Sequence, residues 1–171
     1  LRALEFDGCQ NIPPTKHDVK AVEYFLKLRL KNTSLKDRLE WLHFALTSED
    51  VNSAAYAVLL SDGLEKALLP ALETLQKELA KLAKKEARSV LLARTHGQPA
   101  VPTTFGKEMR VFAERLARQI RALKTREISF KFAGAAGHYN AHYAAFPAVN
   151  WPRAARRLAA ALNKGRKIKL F

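Results

Sequence analysis

At 171 residues, 48% of them apolar, the chain is long enough to bury one real core, and its composition excludes disordered, collagenous and membrane-spanning classes. Thirty Lys and Arg against sixteen Asp and Glu give a formal charge of +14, which attracts phosphates, nucleic acid or an anionic small molecule without saying which. The single cysteine, Cys9, excludes an internal disulfide framework and points to a reducing, cytoplasmic setting.

The opening residues 1–7 hold acids and no long apolar run, so neither a signal peptide nor a membrane anchor is expected. A start without Met and an abrupt basic end over 164–171 lead us to expect that both ends are truncated, processed or substituted. Residues 19–30 have helical periodicity, and Thr15-Lys16-His17-Asp18 stands directly before them with capping-box spacing between Thr15 and Asp18. A helix start there aims free N–H groups outward beside His17, where an anion is welcome; an ordinary capped helix with a surface histidine has the same spacing.

Residues 39–46 and 51–60 also repeat apolar side chains at helical spacing. Between them, Thr47-Ser48-Glu49-Asp50 sets a hydroxyl three residues before a carboxylate. It is either a simple cap or a place where Thr47 and Ser48 offer hydroxyl and amide donors to a phosphate or carboxylate. His43 reads as a packed or hydrogen-bonded residue of the preceding helix.

Leu68, Leu72, Leu75, Leu79 and Leu82 alternate steps of four and three, which predicts a helix over about 63–86 with a leucine edge. Pro70 either occupies its first turn or kinks a longer helix. Over 93–103, Gly97, Pro99 and Pro102 prevent helix and predict a shaped loop that carries His96 between two rigid rods. An imidazole held on such a turn is suited to proton transfer near neutrality.

After Thr104, the spacing of Met109, Phe112, Leu116, Ile120 and Leu123 predicts a second long helix. Residues 133–142 are small and glycine-punctuated. No segment reads clearly as a strand, so the expected fold class is all-α, a long-helix bundle. Excess Lys and Arg concentrate over 77–88 and 110–126, where they read as solvated helix faces. No aromatic platform interleaves with them, which ranks a nucleic-acid binder low.

The segment Arg94-Thr-His-Gly-Gln-Pro-Ala-Val-Pro-Thr-Thr-Phe-Gly-Lys-Glu-Met109 resembles the histidine region of the fumarase, aspartase and argininosuccinate lyase superfamily. Within that superfamily, Lys16-His-Asp-Val-Lys-Ala-Val-Glu-Tyr-Phe-Leu-Lys27, His43-Phe-Ala-Leu-Thr-Ser-Glu-Asp-Val-Asn52 and Gly134-Ala-Ala-Gly-His-Tyr-Asn-Ala-His142 resemble the bacterial-type adenylosuccinate lyases. The contexts of His17-Asp18 and Thr47-Ser48 resemble argininosuccinate lyases less well.

The resemblance implies that residues 1–30 end an N-terminal helical domain and that 31–162 begin a central helical-bundle domain. Residues 163–171 are left as an unmatched basic tail. It implies elimination of fumarate from adenylosuccinate, and from the related succinyl-carboxamide ribotide, with no metal or organic cofactor. His96 is the implied proton-handling histidine at the leaving nitrogen, with His17 assisting it as the second catalytic histidine.

Lys16, His17, Asp18, Thr47, Ser48, Thr95 and Gln98 are the implied substrate contacts. The implied partners are an anionic purine nucleotide and further copies of the chain, a tetramer in that family whose sites draw on three subunits; no membrane partner is implied. Lys16 departs from the family's Asn, and its longer cation would either add an anion contact or displace the substrate. The family's serine base and Met-Pro-Lys-x-Asn loop lie well beyond the Tyr-Asn-Ala-His segment. The expectation is therefore an internal fragment that carries the acid and not the base, inactive by itself. A non-catalytic helical piece that associates with lyase subunits is the other expectation.

Overall fold

The computed structural model describes residues 1–171, which divide into two compact units, Leu1–Leu59 with Ile128–Phe171, and Leu60–Glu127. The chain is mostly helical, and no helix is long and apolar enough to cross a membrane. The all-α expectation needs correction, because each unit also holds a two-stranded sheet.

In the first unit a π-helical turn, Ala3–Asp7, precedes helix α1, Asp18–Leu30. A 3-10 helix, Lys36–His43, takes the place of the α-helix expected over 39–46. Helix α2, Ser48–Gly63, begins earlier and ends later than the apolar repeat over 51–60, because its first turn is polar. Strand β3, Ile128–Phe130, pairs in parallel with β4, Ile168–Leu170, and the short helix α5, Asn140–Ala145, and helix α6, Trp151–Asn163, lie between them in sequence.

Ala57, Phe130 and Ile168 form the buried centre of this unit, with Ala54, Val58, Phe132 and Leu162 packed on them. Ile168 thus carries part of the tail into the core. A second patch is aromatic: the Trp41 and Phe146 rings stack at 5.5 Å, and Trp151 lies 4.8 Å from the His142 ring.

The second unit opens with the end of α2 and a π-helical turn, Leu64–Leu68, followed by α3, Leu69–Lys85. Pro70 is in the first turn of α3, and the backbone stays helical at Gly63 and Leu69 on either side of the widened turn. Proline cannot donate to the carbonyl four residues back and its ring collides with it, a conflict that a wider turn relieves.

Helix α4, Phe105–Lys124, packs along α3 and starts at Thr104, whose Oγ accepts from the Lys107 amide at 3.1 Å. Gly106 is the point of closest approach: a Cβ there would stand 2.6 Å from the Ala87 amide nitrogen and run into the Ala83 carbonyl. Only hydrogen fits.

The shaped loop expected over 93–103 is instead a β-hairpin, Val90–Thr95 (β1) with Gln98–Thr104 (β2). Pro99 and Pro102 were read as breakers, yet each strand of a two-stranded sheet is an edge, where a missing N–H is tolerated. The register shifts between Leu92 and Arg94, where Ala93 of β1 faces both Ala100 and Val101 of β2, a bulge in the stretch between the two prolines.

Candidate functional site

The residues picked out from the sequence fall into two groups. In the first unit, Lys16 adopts a left-handed backbone, φ 49°, and delivers His17 in extended conformation at the start of α1. The expected capping box is not formed. Thr15 Oγ donates to the His17 carbonyl at 3.0 Å, and Asp18 accepts from the next amide, Val19, at 2.7 Å. This local pattern leaves the His17 ring available: Nδ1 lies 3.2 Å from Asp18 Oδ1 and Nε2 lies 3.2 Å from Ser48 Oγ. A side chain thirty-one residues away in sequence thereby meets the imidazole.

Ser48 is the first residue of the 16-residue helix α2, where free amides and the helix dipole favour an anion. Thr47 precedes it, and the Thr47 amide donates to Asp50 Oδ2 at 3.0 Å, one half of the capping arrangement anticipated there. A cavity of about 230 Å³, lined by Ala45, Leu46, Gly134, Ala135, Asn140 and Ala141, adjoins this segment. Lys16, His17, Asp18, Thr47 and Ser48 are therefore one neighbourhood built from two helix starts.

Asp50 was read only as a capping acid, and its role is larger. It is fully buried and accepts from Lys131 Nζ at 2.7 Å and from the Ala133 and Gly134 amides at 3.0 Å each. Burial by itself would raise this carboxyl, but the Lys131 ammonium and the Thr47 and Ala133 amides overcome it and hold Asp50 below its ordinary range. The one hint in the sequence was Lys131, a cation set between Phe130 and Phe132.

Two further buried polar groups surround this neighbourhood. Glu23, on the buried side of α1, lies 2.6 Å from Lys20, 3.1 Å from Lys27 and 2.7 Å from His43 Nδ1. Against the raising effect of burial, hydrogen bonds from Lys20, His43 and Lys27 bring its carboxyl down to about 2. His43 is hydrogen-bonded, as the sequence suggested. His142 is almost completely buried among Phe44, Phe132, Tyr139 and Trp151, and burial lowers its pKa, more than the nearby Asp50 charge raises it.

In the second unit, Thr95 and Gln98 are paired at the end of the β1–β2 hairpin, with His96 and Gly97 as its two-residue turn. Both turn residues have positive φ, 51° and 78°, the geometry of a type I′ connection, in which glycine is at ease and histidine is uncommon. Arg94 clamps the turn by donating to the Gly97 carbonyl at 3.1 Å. The imidazole of His96 is exposed at the tip, free to meet a ligand. A larger recess of about 450 Å³, lined by Ala80, Ala83, Lys84, Gly106, Lys107 and Arg110 among others, contains none of the residues picked out from the sequence.

One unit carries a histidine on a turn and the other a histidine–serine pair at helix starts, and groups of these kinds are able to serve proton transfer and anion binding. The chain belongs to the lyase family, whose pattern matches residues 14–163.

Among its relatives, the adenylosuccinate lyase of Haemophilus influenzae is 47% identical over 138 residues, covering 80% of this chain and 30% of that protein. The adenylosuccinate lyase of Escherichia coli strain K12 is 47% identical over the same length, with the same coverage. The 3-carboxy-cis,cis-muconate lactonizing enzyme of Pseudomonas putida shares the fold, with a TM-score of 0.70 at 23% identity over 87% of this chain and 32% of that one. The chain thus spans about a third of the length of these proteins.

Proposed function

We propose that this chain is the acid-bearing part of an adenylosuccinate lyase, which splits adenylosuccinate into fumarate and AMP and treats the related succinyl-carboxamide ribotide in the same way. In this β-elimination a base removes a proton from the carbon β to the leaving nitrogen, and that electron pair becomes the fumarate double bond. The carbon–nitrogen bond breaks, and the nitrogen leaves with a proton from a general acid. His96 supplies that proton, Thr95 and Gln98 flank it at the substrate, and His17 assists. Thr47 and Ser48 contact a carboxylate or the phosphate of the substrate, and Lys16 and Asp18 belong with His17 to the adjoining substrate-binding segment.

The observation that carries this reading is the approach of His17 Nε2 to Ser48 Oγ at 3.2 Å, which joins the two anion-friendly helix starts. The 171 residues hold one methionine, Met109, followed by Arg110, so the Met-Pro-Lys loop with its serine base is not among them. The base then comes from elsewhere in the assembled enzyme.

The assembly we propose is a homotetramer in the cytoplasm, in which residues 31–162 begin the central bundle. Exposed Leu75 and Phe112 on the long helices, with Leu68 in the turn before α3, support burial against further copies. No cofactor enters the chemistry.

The experiment is the ultraviolet absorbance change on adding adenylosuccinate to the chain, alone and mixed with a full-length adenylosuccinate lyase whose counterpart of His96 has been replaced. Turnover in the mixture only is expected, and a His96→Gln chain should abolish it. Silence in the mixture would sink the reading in favour of a non-catalytic helical piece.

A further inference from the structure

We infer that Asp50 is a positioning residue: its carboxylate fixes the Thr47–Ser48 segment at the start of α2 against the turn at Ala133–Gly134, so that one ion sets two walls of the adjoining cavity. The inference rests on the lyase reading for what this segment touches; the geometry stands independently of it.

An ordinary capping carboxylate serves its own helix and is wet. Asp50 is completely buried, and three of its four donors come from a segment more than eighty residues away in sequence. Oδ2 takes the Thr47 and Gly134 amides, both at 3.0 Å, and Oδ1 takes Lys131 Nζ at 2.7 Å and the Ala133 amide at 3.0 Å.

Lys131 closes the turn from the other side by donating to the Gly134 carbonyl at 2.6 Å, and Ser53 Oγ donates to the Lys131 carbonyl at 3.1 Å. Gly134 is left-handed, φ 77°, and lines the cavity together with Leu46, the residue before Thr47. Ser48 in turn carries the contact to His17. The sequence Gly134, Asp50, Thr47, Ser48, His17 is therefore a chain of direct contacts or adjacent residues.

The chemistry requires an acid here. A carboxylate has two oxygens able to take four donors, whereas the amide of Asn keeps one oxygen and turns an NH₂ toward groups that also donate. The ionisable groups facing Asp50 are Lys131, which neutralises it, with Tyr139 and His142, whose pKa burial lowers, beyond.

The test begins with nuclear magnetic resonance of the chain over a pH series. The Thr47, Ala133 and Gly134 amides should titrate with a single shared midpoint, and the Ser48 amide should report the same one. Lys131→Met should move that midpoint upward for all of them. Asp50→Asn should speed exchange of the Thr47 and Gly134 amides by about tenfold or more and shift the His17 ring. Asp50→Glu should restore part of both.

In the mixing assay Asp50→Asn should lower kcat by about 10- to 100-fold, as expected when a contact segment is misplaced. If Asp50→Asn does not fold, the Lys131→Met series carries the test, since acid then titrates the same carboxylate reversibly. Silence of the unaltered chain in the mixture counts against the lyase reading alone, while the shared midpoint still decides Asp50. An unmoved Ser48 amide, with Gly134 responding, would overturn the inference and leave Asp50 as a buried tie.

Discussion

The two units hold their functional segments by different means. In the first, Glu23 and Asp50 are buried carboxylates, each with several donors, and they join α1 to the 3-10 helix and α2 to the Lys131–Gly134 turn. In the second, no charged side chain is buried, and the residues that are include Leu69, Ala83, Gly106, Ala113 and Ile120, along the contact of α3 with α4. Its ion pairs, such as Arg110 with Glu114 at 2.6 Å, are exposed and contribute little. Hydrogen-bonded ions are directional, so they fix the small distances that an anion site needs. Apolar contact is not directional, but it supports a long rod with a histidine at the tip of the hairpin between its helices.

Acid should divide the units most sharply. The Glu23 carboxyl falls from its ordinary 4.5 in the unfolded chain to about 2 in the fold. Its stabilisation is therefore complete above pH 4.5 and is lost as pH falls toward 2. The shift is of the order of 3 kcal/mol at about 1.4 kcal/mol per pH unit. His142 acts in the same direction, because its lowered pKa favours the fold above pH 6.5 and that advantage fades below it. Trp41 and Trp151 both lie in the first unit, so urea titrations followed by tryptophan fluorescence between pH 7 and 2 report on it. Glu23→Gln should flatten the part of the curve below pH 4.5; an unchanged curve would mean that the Glu23 cluster is not the acid-sensitive tie.

Gly106→Ala should act on the second unit. A methyl group there meets backbone, the Ala87 nitrogen at 2.6 Å, and backbone cannot rotate away, so α4 must move off α3. The expected loss is about 1–3 kcal/mol, typical of overpacking. Far-ultraviolet circular dichroism should show it as an earlier loss of helix, with the tryptophan signal of the first unit little changed. Equal displacement of both signals would show that the units unfold as one, and would break the comparison.

Much of this was legible in the sequence. The long helices announced themselves by periodicity, and α4 follows Thr104 as expected. The candidate segments could be picked out because Thr-His-Gly-Gln, Lys-His-Asp and Thr-Ser-Glu-Asp are local strings. The β1–β2 hairpin was missed because proline argues against strands in general, and the exemption for edges appears only when the pairing is known. Asp50 was underrated for a similar reason: its Thr47 partner is three residues away, but Lys131, Ala133 and Gly134 are more than eighty away, and spacing rules see only the near one. The pairing of Ile168–Leu170 with Ile128–Phe130 is likewise invisible to local periodicity, since three-residue strands carry almost none.

The smallest expected effect on stability sharpens the account of the second unit. Leu72, Leu79 and Leu82 are partly buried, while Leu75 is 52% exposed, so one leucine edge has a covered side and an open side. Leu75→Lys places a charge where water already reaches, and it should change unfolding stability by no more than about 0.5 kcal/mol. A lysine is nevertheless incompatible with a dry helix–helix contact between copies. If the open side is what joins copies of the chain, sedimentation velocity should show the unaltered chain associating with concentration and Leu75→Lys remaining small at the same concentrations. If both sediment alike, the open side of the seam is not what brings copies together, and the apolar support of the His96 hairpin is complete within one chain.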